Sequence, residues 1–128
     1  MANAPSPVAT DRAPAAIGPY SQGMVAGNLL FISGQLPIDP ATGSFAGDSI
    51  EDRTHQCLKN LQEIARAAGT GLDRAVKITV FLANMEHFAR VNQVYAQYFT
   101  ANPPARSAVQ VAALPKGADI EIEAIVSL

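Results

Sequence analysis

Two segments with helical spacing of apolar residues, separated by one strand-like segment, constrain the fold of this chain most. In each helical segment the apolar side chains recur at steps of three and four, which places them on one face of a helix. The first face holds Cys57, Leu58, Leu61, Ile64, Ala65 and Ala68, and the second holds Phe88, Val91, Val94, Tyr95, Tyr98 and Phe99. Between them, Val76, Ile78, Val80 and Leu82 alternate with their neighbours as in a β-strand. A helix, a strand and a second helix are therefore predicted to share one core.

Capping residues predict where the two helices begin and end. Asp48, followed three residues later by Glu51, is typical of a helix N-terminus, because a side-chain oxygen can accept from a free backbone N–H there. Gly69 and Gly71 predict the end of this first helix, because glycine adopts the left-handed conformation that terminates helices. Asn84 is predicted to cap the second helix.

Strand signals flank the helical region on both sides. Short apolar segments at 24–26 and 29–32, separated by Gly27 and Asn28, predict a hairpin. Two further alternating segments, 107–113 and 119–127, follow the second helix. The predicted order is β-β-α-β-α-β-β. Helical connections that return to the same sheet are nearly always right-handed, so both helices are predicted to pack on one face of a mixed sheet.

The size of the chain predicts one domain that spans residues 1–128. Its 128 residues are 48% hydrophobic and 16% charged, which suits a single core and leaves no room for a second domain. Prolines at 5, 7 and 14 indicate that residues 1–16 form an extended arm. The uncovered sheet face would expose residues such as Phe81 and Ile125, and this predicts self-association.

Charge and composition argue against several classes of function. The net charge is −2 and the nine basic residues are dispersed, so we expect no nucleic-acid binding. A single cysteine, Cys57, and no signal-peptide pattern predict a reducing, cytoplasmic setting. No apolar run approaches the roughly 20 residues needed to cross a bilayer, so we expect no membrane insertion. His55 and His87 stand apart from other potential ligands, so no metal site is expected.

The last strand segment carries the most informative charges. Ile120 and Ile122 alternate with Asp119, Glu121 and Glu123, so the carboxylates share one strand face. A solvent-exposed polar face and an acid-base site both explain this pattern, and the residues alone do not choose between them. If the carboxylates form an acid-base site, we expect a cation near them. Arg106 is a candidate, because it opens the preceding strand segment, although the pattern alone favours an ordinary surface arginine, since charged residues are mostly exposed.

Four segments together resemble one family. They are residues 16–22 (AIGPYSQ), 32–37 (ISGQLP), 104–111 (PARSAVQV) and 114–125 (LPKGADIEIEAI). In this order, with two helices between them, they resemble the RidA family, also called the YjgF family, over nearly the whole chain from about residue 17 onwards.

The resemblance implies a fold and an activity. The fold is α+β and similar to a chorismate mutase subunit, with a mixed sheet, two helices on one face, and a homotrimeric barrel whose active sites lie between subunits. The activity is hydrolytic deamination of reactive 2-imino and 2-enamino acids, such as 2-aminoacrylate, to 2-oxo acids and ammonia. The family implies neither a cofactor nor a metal.

The resemblance also assigns roles to individual residues. It places the arginine that binds the substrate carboxylate at Arg106, and the acidic residue near the water and imine at Glu121. The remaining expected substrate-binding residues are Tyr20, Ser33, Gly34, Asn92, Ser107 and Ala108. Many members have cysteine or threonine where this chain has Ala108, and some have a longer loop before Arg106, so the substrate preference stays open.

Three other functions stay open at this point. The first is a deaminase for a pathway-specific enamine of the 2-aminomuconate type. The second is a non-catalytic, chaperone-like module that binds small molecules in the same clefts. The third is a ribonuclease or translation inhibitor, which the acidic balance and dispersed basic residues argue against.

Overall fold

The computed structural model describes residues 4–128 as one six-stranded sheet and two α-helices. The elements are β1 (Ser6–Val8), β2 (Gly23–Ala26), β3 (Leu29–Gln35), α1 (Ile50–Ala67), β4 (Ala75–Leu82), α2 (Phe88–Tyr98), β5 (Ala105–Gln110) and β6 (Ile120–Ser127). The spatial order of the strands is β1-β2-β3-β6-β4-β5. Neighbouring strands are antiparallel except β4 and β5, which are parallel and joined through α2. The mixed α+β fold predicted from the sequence is confirmed.

The predicted hairpin is present as β2 and β3. Ala26 pairs with Leu29, and Gly27 in the turn between them has a φ of 59°. Glycine tolerates this left-handed conformation because it has no Cβ. The turn therefore closes where the sequence predicts.

The N-terminal segment is part of the sheet and is not a free arm. Residues 1–3 of the predicted arm lie outside the described residues, but β1 pairs with β2 at one edge of the sheet. The side chain of Gln22 holds the segment that follows, since its Oε1 accepts from Thr10 N–H and its Nε2 donates to Pro14 O, both at 2.7 Å. The prolines are compatible with an edge position, where one side of the strand needs no ladder partner.

The ends of α1 differ from the prediction by one or two residues. Ser49, and not Asp48, is the N-cap, because its extended backbone lets Oγ accept from Asp52 N–H at 3.0 Å. Gly69 has a φ of 84° and ends the helix as predicted. The prediction for Gly71 is wrong, since its φ of −157° is extended and leads into a short 3-10 turn.

The start of α2 is also shifted along the chain. Asn84 Oδ1 accepts from Glu86 N–H at 3.0 Å, but it caps a 3-10 turn, Met85–His87, that precedes the helix. The α-helix itself begins at Phe88. The prediction that Asn84 caps α2 is therefore wrong, because Asn84 caps the 3-10 turn that leads into the helix.

The core lies between the two helices and one face of the sheet. Fully buried strand residues are Leu30, Ile78, Val80, Leu82, Ile120, Ile122 and Val126, and they pack against Leu58, Leu61, Ile64 and Val91 of the helices. The alternation in β4 fails at Val76, which is 44% exposed, because the register with β6 shifts between Ala75 and Lys77. The prediction that both helices cover the same face is confirmed.

The opposite face of the sheet, which we call the open face, is not covered by any element within residues 4–128. Phe31 and Val109 on this face are each 42% exposed. No helix in the described part of the chain is long and apolar enough to cross a membrane.

Candidate active site

Arg106 lies at one edge of the sheet and points toward the helices. It is on the edge strand β5, where it pairs with Ile78, whose side chain is fully buried under the helices. Residues directly opposite each other on paired strands project from the same face. Arg106 and Ala108 therefore project from the helix-covered face, with Ala108 partly buried against the core.

Three residues of α2 contact the Arg106 guanidinium. Its Nη1 donates to Asn92 Oδ1 at 2.7 Å. Its Cζ lies 4.7 Å from the centre of the Tyr95 ring and 5.3 Å from the centre of the Phe88 ring. Phe88, Asn92 and Tyr95 follow one another at steps of four and three, so they share one face of α2. None of the carboxylates within residues 4–128 forms an ion pair with Arg106.

Glu121 lies on the open face of the central strand β6. It pairs with Phe81, which alternates with the buried residues of β4. Its carboxylate lies directly against Gly34, where a methyl group in place of hydrogen would be 2.7 Å from Oε2. This close approach occurs at a bulge, since the register of β3 and β6 shifts between Ile32 and Gln35.

Burial changes the proton affinity of Glu121. Desolvation raises the pKa of its carboxyl, and the negative charge of Glu123 raises it further. The two carboxylates are neighbours on the same strand face, two residues apart. A raised pKa brings a carboxylate closer to the range in which a general base is effective near neutral pH.

Ser33 is held in place by the backbone of the segment before β2. Its Oγ donates to Ser21 O at 2.6 Å, and its N–H donates to Gln22 O at 2.9 Å. Ser33 and Glu123 help to line a groove on the open face. Tyr20, in the segment before β2, is 52% exposed.

The two residues after Arg106 project from opposite faces. Ser107 pairs with Thr79 on the open face, and its Oγ accepts from Lys77 Nζ at 2.8 Å. Ala108 is on the same face as Arg106. Apart from Tyr20, the predicted site residues therefore fall into two groups. The helix-side group is Arg106, Asn92 and Ala108, and the open-face group is Glu121, Gly34, Ser33 and Ser107.

One chain does not bring Arg106 and Glu121 together. Strand β4 lies between them, and their partners on it, Ile78 and Phe81, point to opposite faces and are three residues apart. Three residues of strand amount to about 10 Å. Within one chain, the guanidinium and the carboxylate are therefore not placed to contact the same small molecule.

Other reactive groups show no site of their own. Among residues 4–128, no three His, Cys, Asp or Glu side chains are grouped as metal ligands. Cys57 is fully buried, and burial raises the pKa of its thiol well above the ordinary value, which suits a core residue and not a nucleophile. The contacts of Phe88 and Tyr95 with Arg106 were missed in the sequence, where both residues were assigned only to the core stripe. Their spacing relative to Asn92 was the available signal.

Comparisons with known proteins agree on one family. The sequence model of the family described as Endoribonuclease L-PSP matches residues 10–128. Reactive Intermediate Deaminase A, chloroplastic, of Arabidopsis thaliana is 53% identical over 94% of this chain and 65% of that protein. The 2-iminobutanoate/2-iminopropanoate deaminase of Homo sapiens is 48% identical over 92% of this chain and 86% of that protein. The crystal structure of RidA from the Antarctic bacterium Psychrobacter superposes with a TM-score of 0.92 and 42% identity, covering 96% of this chain and 99% of that one.

Proposed function

This chain belongs to the RidA family, and from that premise we propose that it is a deaminase that hydrolyses reactive 2-imino acids to 2-oxo acids and ammonia. The substrate class is that of 2-iminobutanoate and 2-iminopropanoate, after which the human relative is named. The observation that carries the proposal is the Arg106 guanidinium, which Asn92 holds in place and which has no ion-pair partner among residues 4–128. A substrate carboxylate supplies that partner.

We propose that each active site lies between two copies in a homotrimer. One copy supplies the helix-side group with Arg106, and its neighbour supplies the open-face group with Glu121. Two features support this arrangement. The two groups lie on opposite faces of one sheet, and Arg106 is on an edge strand, where a second chain can approach. The exposed apolar side chains of Phe31 and Val109 favour burial against another copy.

Binding fixes the orientation of the substrate. Asn92 Oδ1 accepts from one Nη of Arg106 and leaves other N–H groups of the planar fork free for a carboxylate. Two parallel, charge-assisted hydrogen bonds set the carboxylate plane, which a lysine ammonium would not do. The imine carbon next to that carboxylate is then held toward the neighbouring copy.

Glu121 of that neighbour acts on water. Its carboxylate accepts a proton from water while the water oxygen bonds to the imine carbon and the C=N π pair moves to nitrogen. Glu121 passes that proton to nitrogen, which gives a tetrahedral aminoalcohol and restores the carboxylate. Glu121 then takes the remaining hydroxyl proton and delivers it to nitrogen as the C=O bond forms and the C–N bond breaks, and ammonia leaves. Water is the only other reactant, and no electrons are transferred to or from an external partner.

A coupled assay tests the proposal directly. An amino-acid oxidase generates the imine from its amino acid, semicarbazide captures the imine that remains, and falling semicarbazone formation reports hydrolysis by the added protein. We expect wild-type protein to suppress the semicarbazone and Arg106→Ala to leave it unchanged, with both proteins of equal mass in solution. Equal suppression by both, or by neither, would contradict the proposal.

Ala108 favours a second candidate substrate class. It is the small neighbour of Arg106 on the helix-covered face, where the family resemblance implies cysteine or threonine in many members. The additional space suits a bulkier enamine of the 2-aminomuconate type, and Ala108→Cys should reduce its turnover relative to 2-iminobutanoate.

RNA binding is not expected for a chain of net charge −2, and incubating labelled RNA with the same preparation checks this. Localisation in the cytoplasm stays a prediction.

A further inference from the structure

The guanidinium of Arg106 is exposed at the edge of the sheet, yet its position is defined from one side only. Arginine side chains at the surface normally sample many rotamers, and fixing one has an entropic cost. Here a single helix face supplies all three contacts, from Phe88, Asn92 and Tyr95. Asn92 holds one nitrogen at 2.7 Å, but one hydrogen bond leaves the guanidinium plane free to rotate about it.

The two rings remove that freedom. Tyr95 and Phe88 lie on either side of Asn92 along α2, and both face the Arg106 Cζ, at 4.7 and 5.3 Å from their ring centres. A cation over an aromatic face is attracted by the ring quadrupole within about 6 Å. Two rings and one hydrogen bond together define both the position and the plane of the guanidinium.

Tyr95 is the better-anchored of the two rings. It is only 7% exposed, and its ring lies 4.5 Å from the ring of Phe99, which is equally buried. Its hydroxyl is buried and has no hydrogen-bond partner within residues 4–128. The ring, and not the hydroxyl, is therefore the part of Tyr95 that has a defined contact.

We propose that Tyr95 and Phe88 are positioning residues for the deaminase, which hold the Arg106 guanidinium in the plane that a substrate carboxylate requires. The inference rests on the proposed function. The rings touch Arg106 and not the reacting atoms, so they act on binding and orientation through Arg106.

Matched variants of Tyr95 separate the ring from the hydroxyl. Tyr95→Phe keeps the ring, and Tyr95→Leu keeps an apolar side chain but removes the quadrupole. Tyr98→Leu is the control, because Tyr98 is on the same helix but its hydroxyl and ring contact His55. We expect Tyr95→Leu to raise the KM for 2-iminobutanoate and the Kd for 2-oxobutanoate by about fivefold to thirtyfold, with a smaller effect on kcat. Tyr95→Phe and Tyr98→Leu should leave both constants within about twofold, below the range expected for Tyr95→Leu.

Phe88→Leu repeats the test at the second ring and should raise KM less, because its ring is farther from Cζ. Calorimetry with 2-oxobutanoate reports carboxylate binding even if no imine is hydrolysed. The proposed deaminase activity and the proposed positioning role of the two rings can therefore be refuted separately. A wild-type protein that binds 2-oxobutanoate without turnover would contradict the deaminase. Equal constants for Tyr95→Leu and Tyr95→Phe, or an equal rise in Tyr98→Leu, would overturn the positioning role.

Discussion

The two faces of the sheet contrast sharply. On the helix-covered face, Val80 and Ile122 are fully buried and belong to a continuous apolar core. On the open face, Phe31 and Val109 are each 42% exposed and lie in the same sheet surface as the carboxylates of Glu121 and Glu123. The first face stabilises the fold. The second face exposes apolar side chains beside acidic groups. This exposure does not stabilise a monomer, and exposed apolar patches are typical of interaction surfaces.

The two proposed catalytic residues also project from different faces of the sheet. Arg106 projects from the covered face at the sheet edge, and Glu121 projects from the open face near the sheet centre. A single chain therefore contains one complete core, and under the proposed function it contains two separate halves of a shared site. The predictions below change one face at a time, so that each half can be assessed alone.

Arg106→Ala should have the largest effect. Removing two charge-assisted hydrogen bonds to the substrate carboxylate should lower kcat/KM by about 10² to 10⁴, at roughly 1.5–3 kcal/mol for each bond. Arg106→Lys should recover only a small part, because an ammonium cannot form the planar fork. The semicarbazone assay measures both variants, and full activity in the lysine variant would show that charge alone suffices.

Glu121→Gln changes the open face with almost no change in shape. We expect kcat to fall by about 10², the lower end of the usual contribution of a general base, because imines already hydrolyse in water. The Kd for 2-oxobutanoate should change little, since the amide still occupies the same space. Weaker binding with unchanged kcat would instead assign Glu121 a structural role.

Gly34→Ala tests the contact between β3 and Glu121. Gly34 has no positive φ, so alanine fits its backbone, but the added methyl would lie 2.7 Å from Glu121 Oε2 and must displace it. A displacement of about 1 Å should lower kcat roughly tenfold to a hundredfold. Arg106-dependent binding of 2-oxobutanoate should persist, as calorimetry can show. Unchanged kcat would mean that the carboxylate position is not critical.

The smallest expected effect is on stability. Burial and Glu123 raise the pKa of Glu121 in the folded chain, so folding favours the protonated form. The resulting stability is fully present below the unfolded pKa and is lost as the pH rises through the folded pKa. On an Arg106→Ala background, which removes the guanidinium that the proposed neighbouring copy supplies, Glu121→Gln should abolish this loss. The difference in unfolding free energy should stay below about 1 kcal/mol, because the carboxylate is only partly buried and solvent screens its charge. Urea titrations at acidic and neutral pH measure it, and an opposite sign would contradict the pKa direction.

Much of the fold could be predicted from local patterns, because spacing and turn residues act over a few positions. Both helices, the hairpin at Gly27 and the covered face of β6 follow directly from the sequence. The cap at Ser49 could not be distinguished from Asp48, since both side chains can accept a backbone N–H and only the local backbone decides. The strand β1 exists only through its pairing with β2.

The site was less accessible to prediction for a similar reason. Arg106 and Glu121 could be singled out, but their faces depend on which residues of β4 they pair with. A shift of one residue in that register would move either side chain to the other face. Register is set by long-range packing, so the separation of the two groups on opposite faces of one chain became visible only in the structure.

Mixing two inactive variants tests the shared site most directly. Arg106→Ala and Glu121→Gln proteins are unfolded together in equal amounts, refolded, and assayed for imine hydrolysis beside each variant refolded alone. If each site takes Arg106 from one copy and Glu121 from its neighbour, random assembly rebuilds intact sites, and about a quarter of wild-type activity should return. No recovery, in mixed trimers whose composition mass spectrometry verifies, would contradict a site shared between copies.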